Sequence, residues 1–335
     1  MAITVTAAHV AESFDSGNMK EDCSDIIFNI DPSDTPVLSN SGRRDVSNTT
    51  FEWNTESLPT HVSDNAKKEG LDFTSEAPTQ VTRQTNITQI SSRNATVSGT
   101  MSAIAQYGKG SGGEMAHQLT LIGKTLKNDV EFVLVSHNPQ ETGSANQGAA
   151  RRTESMAHQI ARGSNFKAKA SSGTSAPGSN TASFTPGSAS ESLTETFFMD
   201  SLEQIFTNGG NCDAAVVPPG VKREISDFTG RSGQYVTVPE SKISNNITVL
   251  ASDFGDIQIM TTRNYEQIGA NTSVDIFFAD WEYLKVAFLR PFTTQQIAKQ
   301  GDSDSRQIIV EFGAQVSNFN ACGLRVDLTN PYASG

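Results

Sequence analysis

The sequence is poor in residues that would hold a chain together through disulfides or a metal. It contains three cysteines, Cys23, Cys212 and Cys322, which are odd in number and far apart. Disulfide frameworks and zinc sites need cysteines in close, paired spacing, so the pattern fits a reducing compartment. The five histidines include no pair at metal-binding helical spacing. We therefore predict no metal and no cofactor.

Long apolar runs and positive charge are also scarce. No stretch approaches about 18 consecutive apolar residues, so we expect no transmembrane helix and no membrane partner. Lysine and arginine total 25 against 37 aspartates and glutamates, which gives a net charge of −12. Proteins that bind nucleic acid need a basic face, so this balance argues against a specific DNA or RNA site. The N-terminal residues lack a basic segment followed by an apolar run, and we expect no secretory signal.

Apolar residues are fewer than usual but sufficient for a core. They make up 36% of the chain, which also carries 26 glycines and 18 phenylalanines. Aromatic residues at 7% argue against wholesale disorder. A chain of 335 residues can form one large domain or two ordinary ones.

The N-terminal part of the chain shows little periodicity. Residues 1–48 include two prolines that disfavour helix, which predicts an extended arm with turns. Residues 49–100 contain an alternating run with Phe51 and Trp53 on one side, followed by a segment rich in Thr, Val and Ile. Too few of these side chains are apolar to bury both faces. We therefore predict a long, exposed hairpin that is supported by a partner outside its own domain.

Helical periodicity begins at Gly112. Apolar residues recur every three or four positions as far as His137, which predicts a helix about 39 Å long. A second helix is predicted over 149–163. Residues 163–191 are mostly Ser, Gly, Thr and Ala, and this composition predicts a mobile surface loop or linker.

The remainder of the chain is well patterned. A helix is predicted over 193–210 with Phe206 on its apolar face, then a buried strand over 212–220 and a short helix over 221–230. Alternating runs that predict strands lie at 234–238, 247–251, 256–261, 274–278, 284–289, 307–312 and 322–328. Helices and strands are mixed without the regular repeat of a parallel doubly wound sheet, so the predicted fold class is α+β.

No catalytic motif meets its spacing requirement. The Gly-Lys-Thr triplet at 123–125 resembles the end of a phosphate-binding loop, but it lacks the first glycine and lies inside the predicted long helix. Residues 302–313 begin like a calcium loop, yet the central glycine and the final glutamate are missing. No G-x-S-x-G motif occurs. The sequence supports no enzyme.

Five segments, in order along the chain, resemble one protein family. They are IDPSDTPVLSNSGRRDVSNTTFEWNTESL (30–58), LTETFFMDSLEQIFTNGGNCDAAVVPPGVKREISDFTG (193–230), DFGDIQIMTTR (253–263), WEYLKVAFLRPF (281–292) and AKQGDSDSRQIIVEFGAQVSN (298–318). On these segments the chain resembles the major capsid (major head) proteins of tailed bacteriophages. The resemblance covers nearly the whole chain except residues 140–192.

The resemblance implies the capsid fold shared by tailed phages and herpesviruses. Its expected parts are an N-terminal arm (1–48), an extended β-hairpin loop (49–100), a peripheral domain with a long spine helix and a low-complexity loop (101–192), an axial domain (193–272) and a return to the peripheral domain (273–335). It also implies self-assembly into pentamers and hexamers of an icosahedral head that encloses double-stranded DNA. The head would form in the host bacterial cytoplasm and become part of the virion, with scaffold, portal or decoration proteins as further partners.

The alternative is another phage structural subunit, such as a tail-tube or surface-layer protein, and an enzyme is a distant third. The candidate subunit-interface residues are Arg43, Arg44, Phe51, Trp53, Lys67 and Lys68. We expect the two lysines to be solvated at the loop tip. We expect the basic pairs at 43–44 and 151–152 to meet acidic residues of adjacent subunits.

Overall fold

The computed structural model describes residues 34–59, 61–70, 78–104, 113–144, 148–168, 174–184, 191–228, 248–264, 273–299 and 301–329. Within these ranges the chain contains both helices and strands, in agreement with the predicted α+β class. The predicted arm before residue 34 and the predicted strand at 234–238 lie outside the described residues.

The helices confirm the long helix predicted from Gly112. They are α1 (Pro36–Asn40), α2 (Gly99–Ala103), α3 (Gly113–Val135), α4 (Met156–Ala161), α5 (Glu195–Thr207) and α6 (Pro219–Ser226). Helix α4 is shorter than predicted, because residue 152 pairs with residue 141 and the helix begins only after Ser155. The Ser155 hydroxyl accepts a hydrogen bond from the backbone N–H of His158, which caps the helix.

The strands form three sheets. Their bounds are β1 (Gly42–Asp45), β2 (Thr50–Thr55), β3 (Thr82–Ile87), β4 (Gln89–Ser98), β5 (Phe166–Lys167), β6 (Ala214–Val217), β7 (Val249–Ser252), β8 (Gly255–Thr261), β9 (Ser273–Ala279), β10 (Leu284–Ile297), β11 (Ser303–Val316) and β12 (Gly323–Thr329). The order is β1-β10-β11-β4 in a four-stranded sheet, β5-β12-β9-β6-β8-β7 in a six-stranded sheet, and β2-β3 in a pair. Strands β10 and β11 are much longer than their predicted runs.

The six-stranded sheet separates two hydrophobic cores. Val216 of β6 faces the core built on α3 and α4, whereas its neighbours Ala215 and Val217 face the core built on α5 and α6. This alternation follows from the two-residue period of a strand. Strand β9 pairs with β6 and with β12 inside this sheet, so the sheet extends across the predicted boundary at residue 272. The predicted last segment, 273–335, therefore contributes strands to both the four-stranded and the six-stranded sheet.

Two predictions about local structure are corrected. The arm is not extended throughout, because Pro36 begins helix α1 at a position where the missing proline N–H costs nothing. Phe206 lies on the outer side of α5 and is 58% exposed, while Phe198, Leu202 and Ile205 are buried.

The low-complexity loop is also corrected, because its described part is attached to the fold. The backbone N–H of Gln140 donates to the Asn180 carbonyl at 2.8 Å, and the Asn180 amide donates back to the Gln140 side chain at 2.8 Å. Phe184 packs edge-on against Phe166. This segment has no core of its own, but polar and aromatic groups elsewhere in the chain hold it in place.

Helix α1 is anchored to α3 by one carboxylate. Glu131 Oε1 and Oε2 accept hydrogen bonds from the backbone N–H groups of Val37 and Leu38 at 2.9 and 2.7 Å. These are first-turn donors for which a helix offers no internal acceptor. Glu131 is fully buried, and burial raises its pKa from 4.5 to about 7 although the two backbone donors lower it.

We predict that this carboxylate makes stability pH-dependent. Because the folded chain holds the Glu131 proton more tightly than the unfolded chain, its stabilisation is complete below pH 4.5 and declines as pH rises to about 7. Glu131→Gln cannot titrate, so the free energy of unfolding of the unaltered chain should fall relative to this variant by up to about 3 kcal/mol across that interval.

Urea denaturation at several pH values measures this difference. Asp129→Asn, on the same helix but in a partly exposed ion pair with Arg93, is the control and should follow the unaltered chain. Parallel pH profiles for the unaltered chain and Glu131→Gln would contradict the assignment.

Candidate functional site

The predicted hairpin is present but shorter than residues 49–100. Strands β2 and β3 pair in antiparallel register from Thr50↔Ile87 to Thr55↔Thr82. Strand β4, which the sequence assigned to the same exposed element, instead pairs with β11 and packs on α3. The hairpin therefore consists of residues 50–87, and it leaves the fold beside the four-stranded sheet.

Phe51 and Trp53 attach the hairpin to its own chain. Their rings stack with centroids 5.8 Å apart and pack with Ala287 of β10 in a small core of their own. The Phe51 ring lies so close over Gly313 that a β-carbon there would collide with it. Only 5% of Phe51 and 8% of Trp53 is exposed. Little of either ring is available to a neighbouring subunit, in contrast to the sequence-based expectation.

Side chains replace a missing strand at the base of the hairpin. Strand β4 pairs with β11 only as far as Phe312, so the next backbone groups of β11 have no strand partner on that side. The Thr153 hydroxyl accepts from the Ala314 N–H at 3.2 Å, and the Gln159 side chain accepts from the Val316 N–H at 2.9 Å. The Asn86 and Gln159 amides donate to the Ala314 carbonyl at 2.6 and 3.0 Å. All these buried backbone groups are therefore satisfied.

Asn86 is the residue of this network that belongs to the hairpin. It is fully buried, and its amide also donates to the Glu154 carbonyl at 3.0 Å. Its Oδ1 accepts from the N–H groups of Glu154 and Ile87 at 2.9 and 2.8 Å. One amide side chain thus connects β3, β11 and the segment before α4.

A buried carboxylate connects the same three regions nearby. Glu311 of β11 accepts hydrogen bonds from the Thr88 hydroxyl at 3.0 Å, from Arg151 at 2.9 Å and from Arg290 at 2.8 Å. Arg152 pairs with Glu141 at 3.4 Å. Both basic residues of the 151–152 pair therefore have acidic partners within the chain, where the sequence suggested partners on other subunits.

Arg43 and Arg44 also contact their own chain. They lie on β1, an edge strand of the four-stranded sheet. The Arg43 guanidinium lies over the Phe288 ring, 4.8 Å from its centroid. Arg44 donates to the Gln315 side chain at 2.7 Å. Their role as subunit contacts stays a prediction.

The far end of the hairpin exposes apolar side chains. Leu58 is 94% exposed, Val62 69% and Val81 54%, and Lys67 and Lys68 are exposed beside them. Isolated exposed apolar residues are ordinary, but three on one projecting loop suggest a contact with another molecule.

A groove of about 440 Å³ lies between β4 and the first half of α3. It is lined by polar and apolar groups that include Thr96, Val97, Met101, Gln118 and Ile122. No apolar residue of this half of α3 is fully buried, whereas Leu126, Val130, Leu134 and Val135 of its second half are. The groove is therefore an uncovered extension of the core.

No catalytic or metal chemistry emerges from the described residues. Within them, no group of three His, Cys, Asp or Glu side chains is placed to hold a metal ion. No helix in the described ranges is long and apolar enough to cross a membrane. Burial raises the pKa of Cys322 to about 12 and also raises that of Cys212, so both thiols are poor nucleophiles.

Sequence reasoning missed Asn86, Gln159 and Glu311. Asn and Gln are depleted from protein interiors, and nothing in their local patterns indicates burial. The only signal was their position close to apolar runs. Their partners are distant in sequence, so only the folded chain identifies them.

Comparison with known proteins gives consistent matches. The model of the SU10 major capsid protein family matches residues 4–329. The major capsid protein of Escherichia phage Phieco32 is 23% identical over 352 residues, covering 96% of this chain and 95% of that protein. The solved capsid of an empty GTA particle has a TM-score of 0.62 at 13% identity, covering 97% of this chain and 100% of the other. A solved structure from Microbacterium phage Oxtober96 has a TM-score of 0.59 at 9% identity, covering 93% and 96%.

We predict that Asn86 determines whether the hairpin stays attached. Asn86→Ala removes the acceptor of two buried backbone N–H groups, those of Ile87 and Glu154. Each unpaired group costs about 1–3 kcal/mol, so the free energy of unfolding should fall by at least about 2 kcal/mol. Asn86→Asp keeps the side-chain volume but replaces the amide donor with an oxygen that faces the Glu154 and Ala314 carbonyl oxygens. This variant should lose as much stability as Asn86→Ala. Denaturant unfolding measures both.

The control is Asn54→Ala, on the exposed face of β2, which should change stability by less than about 0.5 kcal/mol. If Asn86→Asp were as stable as the unaltered chain, the donor role of Asn86 would be wrong.

Proposed function

Because the chain belongs to the SU10 major capsid protein family and is a shell-forming protein of the phage virion, we propose that it assembles into pentamers and hexamers of an icosahedral head. The family match sets aside the tail-tube and surface-layer alternatives. The similar GTA capsid was computed with C5 symmetry, which supports a fivefold unit. The proposal includes assembly in the host bacterial cytoplasm, no enzymatic activity, and scaffold, portal or decoration proteins as further partners.

We propose that the hairpin of one subunit contacts a neighbouring subunit. Its base is attached by Asn86, Phe51 and Trp53, whereas its far end exposes Leu58 and Val62. The chain exposes 20646 Å², against about 13,000 Å² for a compact monomer of this mass. A rigid base with an apolar tip is an arrangement that gains stability when a second copy covers it.

We assign the groove between β4 and α3 of a second copy as the surface that receives the tip. The groove presents partly buried apolar residues, including Met101 and Ile122, and Met101 is 41% exposed. Leu58 and Val62 could therefore complete a core that one subunit leaves open. Because donor and receiver are different surfaces, the contact is head-to-tail, and such contacts form a ring when the rotation between copies closes.

The charged candidates lie at both ends of the hairpin. Lys67 and Lys68 are exposed on the tip, and Arg43 and Arg44 are near the hairpin base. We propose that these residues guide encounter and orientation, because charge complementarity affects association more through steering than through affinity.

We propose that the shell encloses DNA without binding it specifically. The chain carries a net charge of −12, and packaged DNA is densely negative. Repulsion between them is screened beyond about 10 Å at 0.1 M salt, so the shell can act as a passive wall. Its strength then comes from contacts between subunits.

Assembly of tip variants tests the proposal. Leu58→Asp combined with Val62→Asp removes apolar burial worth about 1.5–3 kcal/mol per side chain and should weaken each contact at least about tenfold. Electron microscopy and sedimentation should then show small species in place of closed particles.

The control Ser63→Asp adds a charge to the same exposed loop without removing an apolar group, and it should assemble normally. Normal particles from the double variant would refute the role of the tip. Tubes from the unaltered chain would refute the icosahedral head.

A further inference from the structure

Residues 174–184, which we call the strap, follow β5 and precede α5 in the sequence, and polar and aromatic contacts hold them to the rest of the fold. Thr174 donates to Asp327 Oδ2 at 2.6 Å, and Asn180 exchanges hydrogen bonds with Gln140. The Ala182 carbonyl lies 2.8 Å from Nε2 of His158. The Phe184 ring packs on the ring of His137, with centroids 4.6 Å apart. Two buried histidines therefore hold one end of the strap.

His158 faces an acceptor on each ring nitrogen. Its Nδ1 lies 2.7 Å from Glu154 Oε1, and its Nε2 lies 2.8 Å from the Ala182 carbonyl oxygen. A carbonyl oxygen only accepts, so Nε2 must carry a proton to bind the strap. The Nδ1···Oε1 pair then needs a second proton, located either on the ring or on the carboxyl. The closed strap therefore requires one proton more than a neutral histidine beside a carboxylate provides.

The surroundings favour retention of this proton. Glu154 and His158 are both fully buried, and burial raises the pKa of Glu154 although His158 and Arg162 lower it. Arg162, at the end of α4, lies 2.9 Å from Glu154 Oε1 and balances the carboxylate when it is charged. Its guanidinium also lies over the Phe319 ring. These are the charged groups in contact with the pair in the described part of the chain.

The second histidine, which packs against Phe184, also contacts a buried carboxylate. His137 Nε2 lies 3.0 Å from Asp275 Oδ2, and both side chains are almost fully buried. Burial raises the pKa of Asp275, although the hydrogen bond and charge of His137 lower it. Asp327 is the acceptor for Thr174 at the other end of the strap. Both ends of the strap thus rest on buried carboxylates.

We propose that the strap is a latch that is closed by the proton shared between Glu154 and His158. If that proton is lost, the single ring proton must serve Glu154 or Ala182 but not both. When the ring proton is on Nδ1 and bonds Glu154, the lone pair of Nε2 faces the Ala182 carbonyl oxygen. The repulsion between the two opens the strap. Phe184 of the strap packs against the core of α3 and α4, so opening of the strap uncovers this side of that core.

The sign of the pH dependence follows from the proton count. The closed strap holds one proton more than the open strap, so a rise in pH favours opening. Once the open form has lost the proton, the ratio of open to closed chains rises by up to about tenfold per pH unit. Acidification closes the latch.

Hydrogen exchange of the strap tests the proposal on the full-length chain. Mass spectrometry of peptides covering 174–184, corrected for the intrinsic pH dependence of exchange, should show at least about tenfold more opening at about pH 9 than at about pH 6. Glu154→Gln supplies an amide donor to Nδ1 without a shared proton, and this variant should stay closed at both pH values.

The control His61→Gln removes an exposed histidine from the hairpin loop and should behave like the unaltered chain. Equal opening of the unaltered chain at both pH values would overturn the latch, even if Glu154→Gln fails to fold. An unchanged pH response in a folded Glu154→Gln would also overturn it, since another group would then be responsible.

Discussion

The structure depends on how one strand satisfies its backbone after its neighbour ends. Strand β11 runs to Val316, but β4 leaves it at Phe312. The remaining backbone groups are buried, and an unpaired buried amide or carbonyl would cost about as much as a lost hydrogen bond. Asn86, Thr153 and Gln159 take the place of the absent strand. This substitution connects the hairpin, the segment before α4 and the central sheet at one point.

That point also determines which part of the molecule is rigid. The hairpin begins where Phe51 lies over Gly313 and where Glu311 binds two arginines, so its direction is determined by buried contacts. Its far end, with Leu58 and Val62 exposed, has no such support in the described part of the chain. If the hairpin contacts a neighbouring subunit as proposed, a base that is already fixed reduces the entropy lost on association.

Buried titratable groups recur where separate segments meet. Glu131 joins the arm to α3, Glu154 joins α4 to the strap through His158, and Asp275 lies beneath His137. A buried carboxylate is costly unless it is paired or hydrogen-bonded, and burial raises the pKa of each of these three carboxyl groups.

The sequence by itself determined the periodic elements and the broad class. The three- and four-residue spacing from Gly112 predicted α3, the run ending in two prolines predicted β6, and alternation predicted β2 with Phe51 and Trp53 on one side. These are local properties, because one buried face imposes its period on the chain. Only the tertiary structure decided that β4 joins β11, that residues 174–184 are held in place, and that Asn86 is buried. In each case the partners are far apart in sequence, and a polar side chain shows no sign of burial until its distant acceptor is brought beside it.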